Sequence, residues 1–388
     1  MSSVAEILEK KLFDFRYRLS VDEATLLYDK CDLNDLMYAS LEVRKSINPG
    51  NKITYLVDRN INYTNACTIN CQFCSFYRPP RHKEVYTQSY EEISTRISEL
   101  EKIGGTRILM QGGVNPELSL DWYLELIKYL RDNHPSIALD CFSPIEIEGI
   151  AEVCDLSTLK VLKKLAKAGM HGLPGGGAEI LVDTIRNDIS PKKGSASNWL
   201  KVMGEAQEIG LTTSATNVFG FGETNLDRVM HMEQIRILQD NAIQNGKIGF
   251  TSFIAWPVQL ENNSFGRRNR GQNRIELGAT AQEYLRHIAI SRLFFDNIDH
   301  IQASWPTMGL GVAQMAMLAG ADDAGSTMME ENVVSASGTK KTEALETEIQ
   351  NSIIRAGFLP QKRDSDYKYL STNVVTTVNS YSPIPQQF

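Results

Sequence analysis

The chain has 388 residues, 42% hydrophobic and 22% charged, with a formal net charge of −7; that is enough for one large barrel or two ordinary domains. No long Lys/Arg block exists, "GRRNR" at 266–270 being the densest, so nucleic acid is not an expected partner. No run of about 18 apolar residues and no secretory apolar region occurs, so the chain is read as cytoplasmic, with no membrane partner.

Residues 1–50 read as a helical segment. After "NPGNK" a rhythm of strand, Gly- or Pro-rich loop and helix begins. Strands are expected at 53–61, 107–113, 136–144, near 170–173, from 212 within 212–223, at 249–257, at 300–306 and at 323–329. Helices fall between them, at about 89–102, 119–133, 156–169, 195–210, 225–241, 280–297 and 311–320. Ser89 and Glu92 form a capping box, and Gly104-Gly105 stop that helix. Eight strand-then-helix units predict an α/β fold, a (β/α)8 barrel over 51–339, with the N-terminal helices before it. The alternative is a doubly wound open sheet. Residues 340–388 read as a helix and tail packed on the barrel, with only the final few residues loose.

Barrels of this kind keep their chemistry at the C-terminal ends of the strands. The unusual segments all fall there: the cysteines, "QGG", "CFSP", "PGGGAE", "FGFGE", "AWP", "SWP" and "STMMEEN". Cys67, Cys71 and Cys74 lie within eight residues, while Cys31, Cys141 and Cys154 are scattered and read as small buried residues. In a reducing compartment such a cluster reads as metal-binding or catalytic. Three thiolates suit three irons of a [4Fe-4S] cluster, leaving the fourth iron open. The rival is zinc, with His82 or a distant residue as fourth ligand; no second ligand pair is visible.

Cys67-x3-Cys71-x-Phe73-Cys74 resembles the signature of the radical S-adenosylmethionine superfamily. The resemblance implies that S-adenosylmethionine binds the open iron and is cleaved to a 5′-deoxyadenosyl radical. It implies an electron donor such as flavodoxin or ferredoxin. It places Phe73 near the adenine and the backbone of Gln111-Gly112-Gly113 at the methionine amino group. "NVFGFGE", with Gly220 and Gly222, resembles the strand-five adenine site. Lys193, with Lys192 beside it, fits the methionine carboxylate, against a solvated helix start as the bland reading.

"VDRNINYTNACTINCQFCSFYR", "FSPIEI", "LPGGGAEILVD", "SPKK", "QASWPTMG" and "GSTMMEENVVSASG" resemble the futalosine-pathway enzymes of menaquinone biosynthesis and their deazaflavin cousins. Among these the pattern is most similar to the branch that cyclises dehypoxanthine futalosine, which names the expected small-molecule substrate. Aminofutalosine synthase and the second component of FO synthase are the alternatives. A non-catalytic iron–sulfur or zinc protein is the reading from a different class. The implied proton loss needs a base: Glu179 is the first candidate and His171 the second, each weighed against a structural role. Tyr63, Asn65, Trp256, Gln302 and Ser304 sit at strand ends as contacts or packing. Trp305 and Met328 read as core, and Glu330-Glu331 as a helix cap. Val114-Asn115 and Phe221-Gly222 depart from the family, where histidine and His-Val are frequent.

Overall fold

The structure, a computed structural model, describes residues 2–269, 274–330, 332–333, 335–337, 341 and 343–374. Part of the "GRRNRGQNR" loop, Glu331, the boundary expected at 339/340 and the tail from 375 lie outside the described residues.

Three helices lead in: α1 (Val4–Phe13), α2 (Val21–Lys30) and α3 (Leu33–Ile47). Ser3 and Ser20 each accept the N–H three residues on, and Glu6 and Glu23 return the bond, so both starts are fixed by capping boxes. The barrel follows as β1 (Lys52–Leu56), β2 (Asp58–Ile61), α4 (Tyr90–Lys102), β3 (Arg107–Met110), α5 (Leu120–Asn133), β4 (Ala138–Cys141), α6 (Pro144–Val153), α7 (Thr158–Ala168), β5 (Gly172–Leu173), α8 (Asp183–Ile189), α9 (Ala196–Glu208), β6 (Thr212–Phe219) and α10 (Asn225–Gln244). It continues as β7 (Phe250–Pro257), α11 (Ser264–Arg268), α12 (Ala281–Phe294), β8 (His300–Gln302), α13 (Trp305–Leu318), β9 (Asp323–Ser326), α14 (Glu346–Arg355) and β10 (Leu359–Lys362). Ser89 caps α4 with Glu92 as the sequence predicts, and Gly169 closes α7 at φ +119°, where a side chain would be strained.

The strands pair in parallel in the order β10-β1-β9-β8-β7-β6-β5-β4-β3-β2. The two halves of the first strand, β1 and β2, are separated only by Val57, so the chain itself joins β3 to β9. Thr54 and Leu56 pair with β9 and Arg59 with Met329, while β2 pairs with β3. The sheet therefore closes on itself, and the open-sheet alternative falls. β10 wedges beside β1, Lys52 opposite Leu359.

Several expectations shift. The first strand breaks at Val57, because its outer edge changes partner there from β10 to β3. The seventh strand stops at Gln302, and Trp305 opens a helix with Pro306 in its first turn. α6, α8, α11 and β10 were not expected; β10 joins the sheet beside β1.

Alternation along the strands sorts side chains. On β3, Ile108 and Met110 are buried outward against helices, while Arg107 and Leu109 face the barrel interior. That interior is not filled by branched apolar residues, so space remains inside it.

Candidate active site

The cysteine loop leaves β2 and folds back on the barrel rim. Cys67 N–H donates to Arg78 O at 2.9 Å, and Arg78 N–H to Asn65 O at 2.7 Å. Asn65 holds the return strand, donating to Glu84 O and accepting from Tyr86 N–H, so it serves the loop rather than a ligand. Gln72 N–H reaches Ile189 O, and Phe265 N–H reaches Gln72 O, which ties the loop to the far side of the rim.

Gly113 makes the fit possible. A Cβ there would lie 2.1 Å from Ala66 O and 2.7 Å from Cys67 Cβ. One at Gly112 would lie 2.8 Å from the Tyr63 ring. Tyr63 is fully buried and donates to Glu146 Oε1 at 2.7 Å, which makes it packing.

Burial raises the Cys67 thiol, and it pushes Cys74 up to about 12, with Cys71 adding to both. Backbone N–H groups of Ile69, Asn70 and Val114 work the other way at Cys67, as do those of Phe76 and Tyr77 at Cys74. Metal ligation takes the thiolate form, and three such charges this close require a positive partner.

Beside them, Lys193 is buried and donates to Glu179 Oε1 at 2.8 Å. Burial lowers its pKa, but Cys71 and Glu179 outweigh that and hold the ammonium up at about 12. Its Nζ lies 5.1 Å from the Phe73 ring centroid. Arg186, equally buried, approaches Glu179 Oε2 at 3.8 Å. Glu179 has φ +41°, Phe142 φ +67° and Met328 φ +45°, so strained backbone gathers at these strand ends.

A cavity of about 280 Å³ opens beneath the loop, lined among others by Asn62, Phe73, Cys74, Glu179, Trp256 and Gln302. Ser304 and Met328 also line it, so Met328 is wall rather than core, while Trp305 is core with Nε1 bonded to Ser326 O. Asn60 and Asn62 each present a buried amide oxygen without a partner.

The pattern of the Radical SAM superfamily matches residues 61–235, and that of the CofH/MqnC C-terminal region matches 247–376. The chain is 39% identical to a cyclic dehypoxanthine futalosine synthase of Halalkalibacterium halodurans, over 92% of both chains. The chain belongs to the radical SAM superfamily. A cyclic dehypoxanthine futalosine synthase of Streptomyces coelicolor is 37% identical, over 91% of this chain and 86% of the relative. A 5-amino-6-(D-ribitylamino)uracil–L-tyrosine 4-hydroxyphenyl transferase of Methanopyrus kandleri is 34% identical, over 94% and 97%. Among solved structures, methylornithine synthase superposes with TM-score 0.68 at 16% identity, covering 91% of this chain and 97% of that one. The hydrogenase maturase HydG from Carboxydothermus hydrogenoformans gives 0.67 at 19%, over 94% and 80%. Both show the fold alone.

Membership of the radical SAM superfamily implies a [4Fe-4S] cluster and S-adenosylmethionine, and the residues fit them. Cys67, Cys71 and Cys74 are free thiols whose charges couple. Among the described residues no three His, Cys, Asp or Glu side chains converge on one ion. A four-iron cluster needs no such convergence, since each thiolate takes a different iron. His82 is exposed, its Nδ1 accepting Glu84 N–H, and adds no zinc ligand.

In radical SAM terms, the structure brings Phe73, Glu179 and Lys193 together and leaves Lys192 exposed. It does not bring His171 there. His171 Nε2 lies 3.0 Å from Asp366 Oδ1, at the N-terminal end of β5, so the second candidate base sits at the wrong end of the barrel. Gly220 N–H and Phe221 N–H both donate to the Glu223 carboxylate, at 2.8 and 2.7 Å. Gly220 and Gly222 have φ +95° and +86°, which this turn requires. Phe221 packs on Phe73, with centroids 5.3 Å apart, so this departure from the family thickens the apolar wall. Asn115 donates weakly to Thr64 and Thr87 and accepts from Glu117 N–H, a loop-bracing role. Glu330 bridges Arg59 and Arg96 instead of capping a helix.

Sequence reasoning missed Asn60, Asn62, Glu146 and Arg186. Period-two reading of "DRNIN" would have placed Asp58, Asn60 and Asn62 on one face.

Among the described residues no helix is long and apolar enough to cross a membrane.

Proposed function

We propose that the chain cyclises dehypoxanthine futalosine to cyclic dehypoxanthine futalosine, a step of menaquinone biosynthesis in the cytoplasm. The observation carrying this is the 37–39% identity, over nine-tenths of the chain, to two relatives with that name. When bound, the cluster and S-adenosylmethionine supply the hydrogen-abstracting chemistry and take up the electron, with flavodoxin or ferredoxin as reductant. Cys67, Cys71 and Cys74 would hold the cluster. Phe73, Gln111, Gly112, Gly113, Lys193, Gly220 and Gly222 would surround the cofactor.

Ring closure forms one carbon–carbon bond and removes two hydrogens, one of them as a proton. Glu179 is the carboxylate among the described residues of the cavity wall and is proposed to take that proton, with Lys193 and Arg186 orienting it. Trp256, Ile254 and Leu109 supply the apolar walls that hold an aromatic ring and keep water out.

The test is anaerobic reconstitution with dehypoxanthine futalosine and mass analysis. A product lighter by two hydrogens supports the reading; an unchanged substrate alongside reductant-dependent 5′-deoxyadenosine sinks it. The second reading is the transferase activity named for the relatives at 32–36% identity. A coupled adduct from 5-amino-6-(D-ribitylamino)uracil and tyrosine would establish it instead.

A further inference from the structure

Below the cysteine-side cavity lies a second chamber of about 130 Å³, several times the space one water needs. Leu109, Ile254, Trp256 and Gln302 line both spaces, so one molecule can span them. The floor is the segment after β10, which contributes Arg363, Ser365 and Tyr367.

Its cations are already matched. Arg107 is held by Asp58 and lies 3.7 Å from Asp140 Oδ2, and Arg363 is held by Asp323. Three carboxylates face two guanidiniums, which leaves no cation for an incoming carboxylate or phosphate. One group is left over. Asp140 is 6% exposed; its Oδ2 accepts from Ser365, but its Oδ1 has no partner. An unpaired buried acceptor is unfavourable until a donor arrives. The remaining wall is rich in hydroxyls, including Ser214, Thr216, Ser252 and Ser326.

We infer that this chamber is the subsite for an uncharged, hydroxyl-bearing end of the substrate, with Asp140 Oδ1 accepting from one of its hydroxyls. The inference rests on the proposed function, in which that end is the sugar. The aromatic acid then stays above, against Trp256.

The test uses the reconstituted full chain, dehypoxanthine futalosine, and analogues with each sugar hydroxyl replaced in turn by hydrogen. The wild type should lose at least tenfold in kcat/KM on one analogue. Asp140→Leu should raise KM and bring that analogue within twofold of the parent. Ser252→Val, which leaves the Asp140 network alone, should raise KM at least fivefold. Substrate-free 5′-deoxyadenosine release should persist in both variants, which separates lost recognition from lost folding. If Asp140→Leu does not fold, Ser252→Val and the analogue series decide. Equal use of all analogues by the wild type, or unchanged KM in Ser252→Val, overturns the subsite. If the wild type does not turn over dehypoxanthine futalosine, the proposed function has failed instead. The same comparison, run on 5-amino-6-(D-ribitylamino)uracil and its deoxyribityl analogues, then decides the subsite by the same criteria.

Discussion

Glu146 holds the backbone of Gly112. Its Oε1 accepts the Gly112 N–H at 3.0 Å as well as the Tyr63 hydroxyl, and its Oε2 accepts Ser143 Oγ at 2.7 Å. Gly112 in turn lies between Tyr63 and the strand end that faces the cysteine loop. A carboxylate on an unforeseen helix thus fixes the orientation of a glycine segment expected at the cofactor.

Burial raises the Glu146 carboxyl to about 7, against the opposing pull of Ser143, Tyr63 and Gly112. The folded state therefore binds this proton more tightly than the unfolded chain. Its contribution favours the fold at low pH and is lost as pH rises from about 4.5 to 7, on the order of 3 kcal/mol. Glu146→Gln removes the titration. Melting curves at pH 5 and pH 7.5 should differ less in the variant than in the wild type; an unchanged difference contradicts this assignment.

Lys193→Ala leaves Glu179 buried with only Arg186 near it. Breaking one side of a buried pair costs about 3–5 kcal/mol. The variant should melt well below the wild type. Glu179→Gln should cost less than Lys193→Ala, because its amide oxygen still accepts from Lys193. Thermal melting of both variants at one pH checks the order.

Gly113→Ala puts a methyl 2.1 Å from Ala66 O, in backbone that cannot swing aside. The cysteine loop must move. Iron content and cluster absorbance after reconstitution should fall at least severalfold, as they should for Cys71→Ala. Cys154→Ala, on the outer helices, should leave both unchanged.

His171→Ala separates the two ends of the barrel. Its partner Asp366 belongs to the floor segment, and both side chains are about one-third exposed, so stability should fall by about 1 kcal/mol or less. The kcat on dehypoxanthine futalosine should be that of the wild type; an abolished kcat would return His171 to the chemistry.

The barrel was legible because strand-then-helix alternation and serine caps are local signals. Ser89 and Glu92 sit three residues apart and meet as read. Cys67, Cys71 and Cys74 were legible for the same reason. Glu146, Arg186 and Asp140 were not: each acts on a residue that topology alone brings near. His171 was misplaced because the strand is expected near 170–173, whereas only Gly172–Leu173 pair, so His171 precedes the strand at its N-terminal end. β10 was missed because Leu359–Lys362 begins with Leu-Pro, and proline argues against a strand except at an edge.

The floor of the lower chamber has a bearing on how the protein is made. β1 meets Asp323 across 269 positions of sequence and Gln361 across 309. At ordinary translation speed those partners emerge roughly 15–60 s after β1. Until then β1 offers an unpaired strand edge, the kind of surface on which nascent chains associate wrongly. The cysteine loop can be complete during that interval, while the chamber beneath it still stands open at the bottom. The segment that would hold the metal thus leaves the ribosome well before the strands that close the vessel for substrate.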